Sequence, residues 1–291
     1  MAIDYPGILN TGRMGELLCW TSREAILYAL GIGMGIDEAE LGFVYEKSLK
    51  AVPTQATAVA WGAGPRIQQL GLDYARVLHG EEEVLLHRPM PAAGEFIADT
   101  SVPAVFDKGR DKGAIVIRQT VLRSAIDALP IATVRKTLFA RGDGGFGGPS
   151  EGAPVPHSVP GRPADRVLQM ATRLDQAALY RLCGDLNPLH IDPEAARAAG
   201  FAEPILHGLC TFGMSCRAVL TVYCDGDPTR LVSHSARFAA PVYPGDMLEV
   251  LLWRDGHTVS FEMSVAARSV KVIKNGKAVL SAVQRDSSRQ V

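Results

Sequence analysis

The chain has 291 residues, of which 47% are apolar and 21% charged, with a formal net charge of −1. That length predicts two folded units with a substantial core, and that charge offers no bulk attraction for nucleic acid or an anionic membrane. No apolar run approaches bilayer-spanning length, the N-terminus lacks a basic start before an apolar stretch, and Ser-Arg-Gln-Val at the C-terminus is not a peroxisomal address. Five cysteines (Cys19, Cys183, Cys210, Cys216 and Cys224) without a CxxC motif predict reduced thiols and a cytoplasmic protein. The spacing of Cys and His matches no metal site.

In chain order, Thr21 with Glu24 fits a capping box and predicts a first helix. Gly31-x-Gly33-x-Gly35 follows that helix instead of a strand, so it is a poor nucleotide loop. Pro53 is expected to open a longer buried helix through Val59, Ala60 and Trp61. Strands are expected near 83–87, 95–105, 114–124 and 131–139. The glycine- and proline-rich stretch 141–156 reads as linker. It contains GxGxxG at Gly142, Gly144 and Gly147, but proline and more glycine follow where a dinucleotide site needs a helix.

The order then repeats. Thr172 with Asp175 predicts a second capped helix over 174–183, ended by Gly184. Asp192-Pro193 reads as N-cap and first position of a short helix closed by Gly200. A long apolar helix opens near Pro204, and strands follow near 231–238, 247–254, 258–268 and 277–283, with a hairpin at Asp255-Gly256. Tyr28 and Tyr180 lie 152 residues apart, Pro53 and Pro204 151, Pro89 and Pro241 152, Gly94 and Gly245 151. One shared offset implies two copies of one fold: residues 1–140, a linker 141–163, and residues 164–291. A buried helix followed by antiparallel strands predicts an α+β fold with a sheet wrapped around a helix. Two such sheets are expected to join edge to edge.

Between Gly184 and Asp192 the loop is pinned at both ends, and it carries Asp185, Asn187 and His190 among apolar neighbours. Such residues commonly make only local turns. The first copy, however, keeps the preceding helix and the following proline yet lacks these polar residues, which argues against a purely structural role. Gly208 stands at the opening of the second buried helix, where free backbone N–H groups and the helix dipole suit a developing oxyanion.

The run Tyr180-x-Leu-Cys-Gly-Asp185-x-Asn187-Pro-Leu-His190 leads on to Ala199-Gly-Phe201-x-x-Pro-Ile-Leu-His-Gly208-Leu-Cys-Thr-Phe-Gly213. With Val77-Leu-His79-Gly80-Glu, Asp107-Lys108-Gly109 and Arg141-Gly-x-Gly-Gly-Phe-Gly-Gly148, these motifs make nearly the whole chain resemble one family. It is that of the (R)-specific enoyl-CoA hydratases, the hydratase 2 or MaoC-like group. In particular the chain resembles the two-hot-dog form, as in the hydratase part of peroxisomal multifunctional enzyme type 2.

The resemblance implies a double hot-dog fold and a homodimer. It implies reversible hydration of a trans-2-enoyl-CoA to a (3R)-3-hydroxyacyl-CoA without metal or redox cofactor. It assigns Asp185 and His190 as the catalytic pair, Asn187 as their helper and Gly208 as donor to the thioester oxygen. It assigns His79, Gly80, Lys108 and Phe238 to the CoA thioester. Glu82 departs from the glutamine frequent at that place and brings a negative charge near the expected CoA path. A first copy without the triad suits a medium, long or bulky acyl chain, of fatty or steroid side-chain type. The alternatives are an acyl-CoA thioesterase and a non-catalytic acyl-thioester-binding protein.

Overall fold

The computed structural model describes residues 3–282. Its strands are β1 (Gly12–Trp20), β2 (Val77–Leu86), β3 (Gly94–Asp107), β4 (Ala114–Ser124), β5 (Pro130–Ala140), β6 (Arg166–Ala171), β7 (Leu231–Phe238), β8 (Met247–Asp255), β9 (Thr258–Val265) and β10 (Val270–Leu280). Its α-helices are α1 (Ser22–Gly31), α2 (Ala56–Val59), α3 (Gln176–Tyr180), α4 (Pro193–Ala198) and α5 (Gly208–Tyr223). All ten strands form one antiparallel sheet in the order β1-β3-β4-β5-β2-β7-β10-β9-β8-β6.

That order reads the same from both ends: β1-β3-β4-β5-β2 in one half corresponds to β6-β8-β9-β10-β7 in the other. The halves meet at β2 and β7, where Glu83 lies opposite Ser235, flanked by Glu82 with Ala236 and Val84 with His234. Residues 83 and 235 are themselves 152 apart, so an approximate two-fold axis passes through this pair. The seam gives each half's inner edge strand a partner, as expected for edges that would otherwise be open. The architecture is the α+β double hot-dog.

In the C-terminal half, α5 runs through the concave face. Phe212, Met214, Cys216, Ala218, Val219 and Leu220 are fully or almost fully buried along it, each large side chain contributing about 1.5–3 kcal/mol. Gly213 lies where an added Cβ would meet Ile32 at 2.5 Å and the Tyr28 hydroxyl at 2.9 Å. Glycine therefore lets α1 cross α5 closely. The helices α1 and α3 also pack together, with the Tyr28 and Tyr180 rings 5.9 Å apart. The two tyrosines that mark the repeat in sequence are thus neighbours in space.

The sequence expectations need several corrections. The helix expected after Pro53 is a single turn, α2, because Trp61-Gly62-Ala63-Gly64-Pro65 follows and Gly62 and Gly64 take positive φ (84° and 75°). Helix α5 begins at Gly208, and Pro204 belongs to the extended lead-in. The Thr21–Glu24 capping box is present, with Thr21 N donating to Glu24 at 2.7 Å. The one expected at Thr172 is not. The Thr172 hydroxyl donates instead to the Asp246 carbonyl at 2.8 Å, and α3 starts only at Gln176, continuing as a 3-10 turn over Arg181–Cys183.

Strands β1 and β6 have no counterpart among the expected strands, since both lie at the sheet's outer edges and are largely exposed. Strand β2 begins at Val77, β9 gives way to a 3-10 turn over Ala266–Arg268, and β10 spans Val270–Leu280. Position 283 of the expected last strand and the C-terminal Ser-Arg-Gln-Val lie outside the described residues.

Candidate active site

Gly184 ends the turn after α3 with φ 128°, a value that favours glycine, and its bare Cα faces the Trp61 ring. The chain then reverses into the loop expected from sequence. Asp185 Oδ1 accepts from Asn187 N at 3.2 Å, and Asn187 Oδ1 accepts from Leu189 N at 3.1 Å, capping a 3-10 turn over Pro188–His190. The Asp192 side chain accepts from Glu194 N at 2.8 Å and starts α4, which Gly200 closes with φ 87°. Two caps and a proline fix the stretch from 185 to 191. Asn187 is a turn-former: its side chain caps the turn, and only its backbone N–H meets the Asp185 carboxylate.

His190 is buried and hydrogen-bonds through Nδ1 to the Ile205 carbonyl at 2.8 Å. A carbonyl only accepts, so Nδ1 carries the hydrogen and Nε2 is left as an acceptor. Nε2 lies 3.8 Å from Asp185 Oδ2. That is too long for a direct hydrogen bond and suits a bridging water. Burial lowers the His190 pKa, opposed by the Ile205 bond and by Asp185, so the ring favours its neutral form.

His207, the residue before α5, is 2% exposed. Its ring stacks on His190 with centroids 3.6 Å apart, and its Nε2 donates to the Asp185 carbonyl at 3.1 Å. Burial, with His190 alongside, brings its pKa down to about 3. Helix α5 opens beyond it with no side-chain cap, so its first N–H groups and the positive end of its dipole lie beside this pair.

Phe238 stands over Gly208, where an added Cβ would approach the ring at 3.3 Å. His79 meets Phe238 edge-on at 5.0 Å and hydrogen-bonds through Nε2 to Glu82 Oε2 at 2.6 Å. Gly80 leaves room for the Phe139 ring, which a Cβ would meet at 2.3 Å, and Arg237 lies over that ring at 5.1 Å.

Beyond Phe139 opens a cavity of about 680 Å³, bordered by Lys108, Lys112, Arg141 and Arg237 among others. Lys108 Nζ donates to the Ser150 carbonyl on its wall. The glycine-rich stretch expected as linker is part of this wall. Asp107 accepts from Gly109, Gly145 and Gly147 N–H groups, each at 2.8 Å, and the Gly145 bond foremost lowers its pKa.

The fold therefore brings Asp185, Asn187, His190 and Gly208 together, with Phe238 and His79 adjoining and Gly80 and Lys108 leading outward. The sequence reading missed Lys112, Arg141 and Arg237, which only the tertiary fold makes into one cluster. Asp185, His190 and His207 each offer a donor atom within 4.8 Å of the others. Because the two imidazoles stack face to face, their in-plane lone pairs do not converge on one ion, so the set does not fit a metal centre.

Comparison with known proteins adds the relationships. Residues 156–276 match the MaoC like domain, and residues 19–142 match the MFE-2 hydratase 2 N-terminal domain. The chain is 40% identical over 266 residues to peroxisomal multifunctional enzyme type 2 of Mus musculus, covering 88% of this chain and 36% of that protein. It spans only about a third of that relative. It is 38% identical to enoyl-CoA hydratase ChsH3 of Mycobacterium tuberculosis, covering 95% of this chain and 98% of that one. A MaoC-like dehydratase from Phytophthora capsici superposes with a TM-score of 0.85 at 31% identity, covering 94% of this chain and 97% of that one. With both halves matched in their expected order, the chain belongs to the MaoC-like hydratase 2 family.

Proposed function

We propose that the protein catalyses the reversible, (R)-specific hydration of trans-2-enoyl-CoA to (3R)-3-hydroxyacyl-CoA, in lipid metabolism. The observation that carries this reading is the pair of acceptors, Asp185 Oδ2 and His190 Nε2, held 3.8 Å apart beside the uncapped start of α5. One water between them donates to both. As its oxygen attacks C3, one acceptor takes a proton and electron density moves to the thioester oxygen. The N–H groups of Gly208 and its neighbours stabilise that charge. A proton delivered to C2 completes the addition, and the protein ends with no net gain or loss of protons.

Phe238, His79 and Gly80 line the way from the thioester. Lys108, Lys112, Arg141 and Arg237 supply cations for the phosphates of CoA. The name of the mycobacterial relative, enoyl-CoA hydratase ChsH3, supports hydration of an enoyl-CoA.

We assign residues 1–140 as the acyl cradle, 141–163 as the connecting wall of the CoA cleft, and 164–291 as the catalytic half. Single-turn α2 leaves the cradle without a long central helix, which favours a medium, long or bulky acyl group. The exposed Met14 and Leu17 on edge strand β1 support a homodimer. Among the described residues no helix is long and apolar enough to cross a membrane. The unpaired cysteines support a reducing compartment such as the cytoplasm.

The test is loss of enoyl absorbance on a panel of short, long, branched and steroidal enoyl-CoAs, with the configuration at C3 determined. D185N and H190Q should each lower kcat by about 10²-fold or more. Release of free thiol without loss of the double bond would make the protein a thioesterase instead. High activity confined to crotonyl-CoA would refute the cradle.

A further inference from the structure

The concave face of the N-terminal half carries charge where the other half carries none. Glu82 of β2 lies opposite Lys136 of β5, and Lys136 opposite Arg118 of β4. The corresponding row in the C-terminal half is His234 of β7, Ala278 of β10 and Val259 of β9, all fully buried. There α5 covers the row, with Ser215 hydrogen-bonded to His234 at 2.8 Å. In the N-terminal half the helix stops after one turn, and the charged row lies beneath residues 60–64. Arg118 donates to the Ala63 carbonyl, and Lys136 Nζ sits 4.6 Å from the centre of the Trp61 ring. Trp61 in turn lies against Gly184, the residue before Asp185.

Glu82 is 1% exposed. One carboxylate oxygen meets His79, and the other is buried with no hydrogen-bond partner. A carboxylate so placed costs several kcal/mol unless a counter-charge faces it. Lys136, directly across the strand pair, is that charge. Burial lowers the Lys136 pKa and Arg118 adds to the effect, while Glu82 and Asp185 oppose it. Lys136 therefore faces Glu82 across the strand pair and reaches the Asp185 loop through the Trp61 ring.

We propose that Lys136 is a positioning residue for the hydration: through the Trp61 ring it supports Gly184 and the Asp185 loop, and across the strand pair Glu82 couples it to His79 on the thioester side. The inference rests on the assignment of Asp185 above. The groups facing Lys136 are Glu82, Arg118, Asp185 and the Trp61 ring. A rigid strand and an aromatic face hold the ammonium in place, and with it the Trp61 ring against which Gly184 rests. Without Lys136 that ring loses the cation on its face, and the loop that begins at Gly184 holds Asp185 less firmly against His190.

The test compares wild type, K136R, K136M, E82Q/K136M and D185N by initial hydration rates, with thermal melts to establish folding. K136M should lower kcat about tenfold and leave KM nearly unchanged. K136R should keep the rate. E82Q/K136M removes the uncompensated carboxylate, which secures folding, and should remain as slow as K136M. A wild-type kcat in K136M would overturn the proposal. So would recovery of the wild-type rate in E82Q/K136M, since Lys136 would then serve only to neutralise Glu82. Turnover surviving in D185N would overturn the Asp185 assignment itself, and this inference with it.

Discussion

His207 shows how one side chain ties two functions together. It precedes Gly208, so it sits at the start of the helix whose N–H groups are proposed to meet the thioester oxygen. Its ring stacks on His190 and its Nε2–H holds the Asp185 carbonyl. The acceptor pair and the helix start are thereby one rigid unit. In sequence His207 is only a letter in Pro-Ile-Leu-His-Gly, because a stacking contact 17 positions away leaves no local signal. Asp185 and His190 were legible, since a loop pinned by Gly184 and Asp192-Pro193 advertises its polar residues. His207→Phe keeps a ring against His190 but loses the donor, whereas His207→Ala loses both. We expect kcat to fall about tenfold in the first and further in the second, with KM moved less, as measured by steady-state hydration.

At the scale of elements, two segments behave differently from their composition. The stretch 141–156 has the glycine content of a spacer, yet Asp107 fastens it to the end of β3 through Gly145 and Gly147. Gly144 lies so close to the Gly109 carbonyl that a Cβ would come within 2.0 Å. Glycine here serves close approach instead of freedom. Glycine content alone does not distinguish the two uses, because the fastening carboxylate lies about 40 residues earlier in the chain. The single-turn α2 is the opposite case: Gly62, Gly64 and Pro65 carry the stop in the sequence, although the apolar run before them favours a longer helix. Asp107→Ala leaves three backbone N–H groups without their acceptor. It should cost about 2–4 kcal/mol of stability by urea titration and raise KM for acyl-CoA roughly tenfold, with kcat less affected.

At the scale of the molecule, the 152-residue offset read from tyrosines and prolines reappears as geometry. Glu83 and Ser235 face each other on the approximate two-fold, and Tyr28 packs on Tyr180. The duplication was legible because both copies kept the landmarks that fold them. Its asymmetry was only half legible, since the lost triad shows in sequence while the charged row facing the shortened helix needs strand register to be seen.

The same asymmetry sets the response to acid. Where the N-terminal half has Glu82, the C-terminal half has His234, stacked on Phe261 with centroids 4.7 Å apart and buried under α5. Burial takes its pKa down to about 3, the value His207 also has. Both are neutral in the folded state. Once the pH falls below about 6.5, the unfolded chain binds protons that the folded one refuses. Stability is therefore full above that pH and declines toward pH 3, by about 1.4 kcal/mol per pH unit for each histidine. Below the folded values the loss stops growing. His234→Gln keeps a side chain able to reach Ser215 but cannot titrate. Its urea midpoint should fall less steeply between about pH 6 and pH 4 than that of the wild type. Parallel pH dependences of the two proteins would show that His234 is protonated in the fold, and that the core under α5 tolerates the charge.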